Sequence, residues 1–197
     1  MERHRVNELH YITPMANLRS IMTHGLLSHN QAAKIPHESV AEESVQANRA
    51  KRVPGGLWLH DYVNIYFDAR NAMMYCRLHL RETLAVVRVN PAVLDAPGAV
   101  ISDLNAATSG AAFYESPGGL AKLDEERVYT DDWRDPNPWV QLRQKQQRQA
   151  EVLVPHNVGS NYLRGCYVCA EHVVQPCASA TGVIGLSVEV NKHVFFL

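Results

Sequence analysis

Apolar and polar positions follow one another in short runs, and the periods of those runs predict alternating strands and short helices. Leu9-His10-Tyr11-Ile12-Thr13 is β-branched and aromatic and is closed by Pro14, which predicts a strand. Leu18, Ile21 and Met22 stand at i, i+3 and i+4, so a short helix follows, with Gly25 as its C-cap. Residues 28–52 are polar and loop-like, with room for one short helix over 40–50, and Pro54-Gly55-Gly56 is a turn. Strands are predicted over 63–67, 84–89, 100–101 and 150–155, and a helix over 71–80 with Met74 and Leu78 on one face. Residues 108–140 are rich in Gly, Pro, Asp and aromatics and read as loops with a short helix. One or two strands are expected over 163–174, and more strand over 185–190 and 194–196. No repeat or low-complexity tract interrupts this order. Long amphipathic crossover helices are missing, which argues for a mixed α+β fold with a mainly antiparallel sheet.

Composition narrows the class. The 197 residues are 46% hydrophobic, which excludes a disordered chain, and they fit a single domain over 1–197. Nineteen Lys and Arg against 20 Asp and Glu exclude a strongly cationic nucleic-acid coat, but not a local basic groove. No run of about 18 apolar residues exists and residues 1–8 carry no apolar signal core, so a cytoplasmic protein without a membrane span is expected. Cys166 and Cys169 form a CxxC with His172 and Cys177 downstream, which can be read as a metal site. A second CxxC and a His-x(3–5)-His pair are missing, so buried, reduced cysteines and no metal are expected.

Glycine signatures for a dinucleotide fold or a P-loop are absent, as are GxSxG and HExxH. Four features remain as candidate chemistry. Glu151 heads an otherwise apolar strand; it is either a solvated strand-edge acid or a carboxylate at the mouth of a cleft. His10 and Ile12 share one face of the first strand, Tyr11 and Thr13 the other. Arg49, Lys51 and Arg52 form a basic cluster, either a solvated face or a diphosphate clamp. Tyr66-Phe67-Asp68-Ala69-Arg70-Asn71 sets aromatics beside an arginine, a pattern of core packing that also suits stacking on a flat heterocycle. Just before Glu151 the charge changes sign. Residues 124–135 hold six acids against two arginines, and Arg143, Lys145 and Arg148 then lie among five glutamines with no acid.

Taken in order, these segments resemble the DarT family, the toxin half of DarTG toxin–antitoxin systems. The segments that carry the resemblance are Leu9-His10-Tyr11-Ile12-Thr13-Pro14 with Asn17-Leu18 and Gly25-Leu26-Leu27; Leu59-His60-Asp61-Tyr62-Val63 through Arg70-Asn71 and Met73-Met74-Tyr75; Ile101-Ser102-Asp103-Leu104-Asn105-Ala106; and Gln149-Ala150-Glu151-Val152-Leu153-Val154. The resemblance implies an ADP-ribosyltransferase fold, split antiparallel sheets around a central NAD cleft with short flanking helices. It implies a glycosyltransferase that moves ADP-ribose from NAD to a base of single-stranded DNA and releases nicotinamide, with a weak lean to guanine over thymine. NAD is then a co-substrate, and the antidote a macrodomain or related ADP-ribosyl glycohydrolase. Transfer to RNA or protein, or a non-catalytic NAD- or ADP-ribose-binding module, are the alternatives.

Glu151 matches the catalytic glutamate and Arg49 the NAD-binding arginine, with Arg52 as the alternative. The opening segments would contribute His10, Tyr11, Thr13, Asn17, Gly25 and Leu26 to the cofactor cleft, with His10 and Tyr11 both open for the ribose-facing role. Tyr66, Arg70 and Met74 would join Arg49 there. On the acceptor side, Arg143, Lys145 and Arg148 would follow the phosphodiester backbone, beside Asn105, and Trp133 would stack an unpaired base.

Overall fold

The computed structural model describes residues 1–182 and 186–197. Its frame is one eight-stranded sheet in the order β10-β9-β4-β1-β3-β7-β5-β6. The central strands are β1 (Leu9–Pro14), β3 (Tyr62–Tyr66), β4 (Leu84–Val89) and β7 (Glu151–Pro155). One wing adds β5 (Val100–Ser102) and β6 (Phe113–Glu115), the other β9 (Leu163–Val168) and β10 (Ser187–Val190). A separate ribbon pairs β2 (Leu26–Leu27) with β8 (Asn157–Val158). Around the sheet lie α1 (Leu18–His24), α2 (His29–Ala32), α3 (Glu43–Asn48), α4 (Ala72–Cys76), α5 (Glu125–Val128), α6 (Pro138–Gln147) and α7 (Glu171–Thr181).

The central strands form because their apolar runs are buried on both faces: every residue of β4 but Arg88 is buried, and β7 is buried from Glu151 to Val154. One hydrophobic cluster runs from Val6 to Phe195 and takes in β1, β3, β4, β7 and β9. The sheet is not evenly knit. β1 pairs with β4 along its whole length, and β3 does so with β7, but β1 and β3 meet at a single registered pair, His10 with Tyr66. Beyond that pair the two strands diverge, and the sheet opens into the split expected of this architecture.

Several predicted elements differ. Over 163–174 only β9 is strand; Glu171 begins α7, whose buried Val173, Cys177 and Thr181 recur every fourth residue. The β-branched Val173-Val174 and the interior Pro176 disguise that helical stripe, and contact with the sheet overrides both local preferences. This helix is also the crossover that lets β10 pair in parallel with β9, a parallel edge on an otherwise antiparallel sheet. The helix predicted over 71–80 stops at Cys76 and resumes as a 3-10 turn over Leu78–Thr83. Residues 194–196 are a turn, not a strand. The strand predicted over 185–190 is found over Ser187–Val190, and its first residue, Gly185, lies outside the described residues. Cys166, Cys169 and Cys177 are buried as free thiols, and Cys76 is exposed. Among the described residues no helix is long and apolar enough to cross a membrane.

Candidate active site

The split between β1 and β3 leads into a cavity of about 440 Å³. Small-molecule sites run from roughly 300 to 1,000 Å³. On β3 the alternation is plain: Val63 and Ile65 are fully buried in the core, while Tyr62, Asn64 and Tyr66 line the cavity. From β1 and the turn before α1 come Tyr11, Thr13 and Asn17. The Asn17 amide joins the two sides of this wall, donating to Thr13 Oγ1 at 3.2 Å and to the Glu38 carbonyl at 2.8 Å, and its Oδ1 accepts from the Glu38 amide. Gly25 and Leu26 complete that side. Gly25 has φ +77°, and a Cβ there would run into the Val158 carbonyl, so the close crossing of β2 over β8 depends on glycine.

At the head of β7, level with the His10–Tyr66 pair where β1 and β3 still meet, Glu151 is fully buried, and Arg49 is 5% exposed. The guanidinium grips the carboxylate in a two-pronged pair, Nη1 to Oε1 at 3.3 Å and Nη2 to Oε2 at 3.1 Å. The Ala106 amide donates a third bond to Oε1 at 3.3 Å. Burial works against the Arg49 charge, but the Glu151 charge and hydrogen bond outweigh it and raise the guanidinium pKa further. Arg49 is on the cavity wall and Glu151 directly behind it. Arg49 therefore lines the cavity as expected of a cofactor-binding residue, with its fork turned onto Glu151. Tyr66 is Glu151's cross-strand neighbour. Burial, and then the Glu151 charge, push its phenol far above the usual range, so it stays a neutral hydroxyl.

Arg52, the alternative to Arg49, is exposed and stacks its guanidinium over Trp58 at 5.5 Å. Between His10 and Tyr11, only Tyr11 faces the cavity. His10 belongs to a polar knot on the other wing, with Nε2 at 3.1 Å from Glu8 Oε1 and Nδ1 at 3.3 Å from the Phe67 carbonyl. Two further expectations for the cofactor cleft are corrected. Met74 is fully buried in the core, and Arg70 lies over the Phe196 ring at 4.1 Å and donates to the His193 carbonyl. Neither lines the cavity.

The acceptor-side residues separate in the same way. Asn105 and Lys145 line the cavity mouth, and the Asn105 side chain donates to Gln149. Arg143 is exposed on α6 and pairs with Asp103 at 3.5 Å. Arg148 is corrected outright. Its side chain is fully buried and bonds to the Val128 carbonyl at 2.6 Å and to Asp68 at 3.0 Å, so no phosphodiester can reach it. Trp133 packs edge-on against Tyr75 and Phe196 and does not line the cavity.

Sequence reasoning missed Tyr62 and Asn64, although Tyr62, Asn64 and Tyr66 at a spacing of two carried the signal. It also missed Arg77 and the imidazoles of His29 and His37 on the cavity wall. His29 is pushed below its usual range by burial first, then by His60, His37 and Arg49, so it is neutral near pH 7. The Ala106 amide had no signal, because backbone donors leave none in side-chain identity. Among the described residues no group of three or more His, Cys, Asp or Glu is placed to hold a metal ion.

Comparison with known proteins bears on this geometry. A solved structure titled Thermus sp. 2.9 DarT in complex with ADP-ribosylated ssDNA superposes with TM-score 0.83 at 25% identity over 97% of each chain. The same protein in complex with NAD+ superposes with TM-score 0.79 at 26% identity, over 96% of this chain and 98% of that one. A DNA ADP-ribosyl transferase from Thermus sp. (strain 2.9) is 35% identical over 165 residues, 74% of this chain and 73% of that protein. A DNA ADP-ribosyl transferase-DNA ADP-ribosyl glycohydrolase fusion protein from Thermosipho africanus (strain H17ap60334) is 29% identical over 205 residues, 98% of this chain. The chain spans about half the length of that fusion protein, 50% of it. The family model described as ssDNA thymidine ADP-ribosyltransferase, DarT, matches residues 10–196. With its split sheet, its Glu151–Arg49 pair and this match over nearly its whole length, the chain belongs to the DarT family.

Proposed function

We propose that the chain, acting as a single catalytic domain, transfers ADP-ribose from NAD to a base of single-stranded DNA and releases nicotinamide. The observation that carries this reading is the Glu151 carboxylate, paired with Arg49 directly behind the wall of a cavity that opens at the sheet split. A solvated strand-edge acid would show none of this burial, and a module that only binds has no need of a buried carboxylate at that place.

The cavity suits a dinucleotide on its own chemistry. Tyr11, Tyr62 and Tyr66 offer flat faces and Thr13, Asn17 and Asn64 polar groups; Lys145, and Arg77 with its Nη2 3.6 Å from Glu42, bring positive charge for a diphosphate. Cleaving the bond from ribose to nicotinamide builds positive charge on the sugar, as in other glycosyl transfers. Glu151 stabilises that charge, and more strongly because water is excluded around it. Arg49 aims the carboxylate and balances its charge. A base nitrogen attacks the anomeric carbon and loses its proton, and Glu151 is the acceptor for that proton. Single-stranded DNA fits because a base inside a duplex cannot enter a recessed site without being extruded.

Thymidine is the base we assign, since the family description names it; the lean to guanine from the 71-containing stretch has no support in the site. By analogy with the fusion relative, the partner is an ADP-ribosyl glycohydrolase that reverses the modification and acts as antitoxin. The reaction requires NAD and DNA, which fits a cytoplasmic enzyme. The test is incubation with NAD and a panel of oligodeoxynucleotides, RNA and protein, read by mass spectrometry. An ADP-ribose adduct on thymidine of single-stranded DNA is expected. An adduct on guanine, RNA or protein alone would replace the acceptor, and NAD binding with no adduct would leave a binding module.

A further inference from the structure

Ser102, the last residue of β5, is fully buried, and its hydroxyl has no hydrogen-bond partner among the described residues. A buried hydroxyl without a partner loses its hydration and gains nothing in return. Packing does not call for one here. β5 runs between β7 and β6, Ile101 before it is fully buried, and alanine would fill nearly the same space. Register supplies a reason to keep it. Ser102 pairs with Glu151 across the β5–β7 ladder, and Glu151 pairs with Tyr66 across the next. Registered neighbours project to one face with Cβ atoms about 5 Å apart, a gap that serine and glutamate side chains span together. On the other side Ser102 meets Phe113, whose ring offers no hydrogen bond, and the Tyr66 hydroxyl is turned to Met73 Sδ at 3.5 Å. The chain then folds back over the same carboxylate. Four residues on, the Ala106 amide donates to Glu151 Oε1, which also takes Arg49 Nη1. Oε2 takes Arg49 Nη2 alone among the described residues. The turn between is tied from outside, the Asp103 amide to the Ala112 carbonyl and the Asn105 amide to the Gln146 carbonyl, each at 3.2 Å.

We propose that Ser102 is a positioning residue for the transfer reaction: its hydroxyl donates to Glu151 Oε2 while the carboxylate works on the ribose. The inference rests on the proposed role of Glu151 in ADP-ribose transfer. Rotation about one side-chain bond moves the Ser102 hydroxyl between staggered positions, so the bond forms without backbone movement. A carboxylate oxygen has room for two donors. A hydroxyl bonded to an ionised carboxylate is held more strongly than one bonded to a neutral group. With Ala106 at Oε1 and Ser102 at Oε2, both on one short turn, the carboxylate keeps its aim as positive charge builds on the sugar. Ser102 does not line the cavity, so it touches neither NAD nor the acceptor base. Its effect passes through Glu151 and falls on the chemical step, not on NAD binding.

The test is steady-state kinetics of adduct formation with NAD and a single-stranded oligodeoxynucleotide, together with thermal unfolding, for the wild type, Ser102→Ala and Ser102→Thr. Ser102→Ala is expected to lower kcat about tenfold with KM for NAD unchanged. Its melting temperature should equal or exceed that of the wild type, because the change removes a buried polar group without a partner. Ser102→Thr keeps the hydroxyl and should restore kcat to within about threefold of the wild type. Wild-type kcat in Ser102→Ala overturns the assignment and leaves the transfer reading standing. A Ser102→Ala effect seen in KM alone also overturns it, by placing Ser102 in NAD binding. A loss of kcat that comes with a lower melting temperature and is not restored by threonine overturns it too, by making the hydroxyl structural. A wild-type protein that forms no adduct with any single-stranded oligodeoxynucleotide overturns the transfer reading and the role of Ser102 with it.

Discussion

Glu151 and Arg49 are buried together, so neither can be altered alone without consequence for the other. Removing one partner of a buried ion pair leaves an uncompensated charge and costs about 3–5 kcal/mol. Glu151→Ala is therefore expected to abolish transfer and also to lower the melting temperature by on the order of 10 °C, measured by calorimetry beside the activity assay. Glu151→Gln keeps shape and hydrogen bonding and should lose transfer by at least about a hundredfold with a smaller thermal shift. Equal melting temperatures for the Ala and Gln variants would contradict the buried pair. Arg143 and Arg148 stand five residues apart and have opposite fates. Arg143→Ala should reduce the salt slope of single-strand binding by about 0.7. Arg148→Ala should leave that slope unchanged and cost on the order of 2 kcal/mol of stability, because its guanidinium holds α5 and α6 to Asp68. Nothing in Gln144-Lys145-Gln146-Gln147-Arg148 marks which cation turns inward; that is set by where the helix lies on its neighbours.

Single elements carry some of the cleft's shape. The β2–β8 ribbon crosses closely at Gly25, whose φ of +77° and nearby Val158 carbonyl leave no room for a side chain. Gly25→Ala is expected to cost about 1–3 kcal/mol and to weaken NAD binding, since Gly25 and Leu26 form part of the cavity wall. Isothermal titration against NAD checks this, and unchanged affinity would detach the ribbon from the site. The strands were the most legible elements. β4 and β7 are read directly from runs such as Leu84-Ala85-Val86-Val87, because a strand buried on both faces is apolar along nearly its whole length, and β1 and β3 from their β-branched and aromatic residues. α7 was not legible: Val173-Val174 and Pro176 argue locally for strand and break, and burial of Val173, Cys177 and Thr181 against the sheet decides for helix.

The molecule as a whole is two wings joined where β1 meets β3, and the wing opposite Glu151 has its own polar knot. Glu8 accepts from Arg88 at 2.8 Å and from Tyr167 at 2.7 Å, with His10 at 3.1 Å. Burial favours the neutral acid, but these hydrogen bonds outweigh it and hold the Glu8 carboxyl at about 2. A carboxyl whose pKa is lower folded than unfolded stabilises the protein above the unfolded value, near 4.5, and that contribution is lost as pH falls towards 2. Denaturant titrations between pH 5 and pH 2 should show stability falling in the wild type, with a shallower fall in Glu8→Gln. Parallel curves would mean that other carboxylates govern the acid limb.

Much of this was determined by residue identity and order alone: the mixed class, the four central strands, the family, and Glu151 at the head of a buried strand. Those features are encoded locally, by the period of apolar positions and by short segments met in sequence. Three matters waited for the tertiary structure: which of Arg49 and Arg52, the alternatives for the NAD-binding arginine, stands on the cavity wall, which of His10 and Tyr11 faces the cleft, and whether Arg148 sees solvent. Each depends on contact between segments far apart in the chain, 102 residues in the case of Arg49 and Glu151. A side chain's neighbours at that distance are set by how the sheet twists and splits, which no local pattern records.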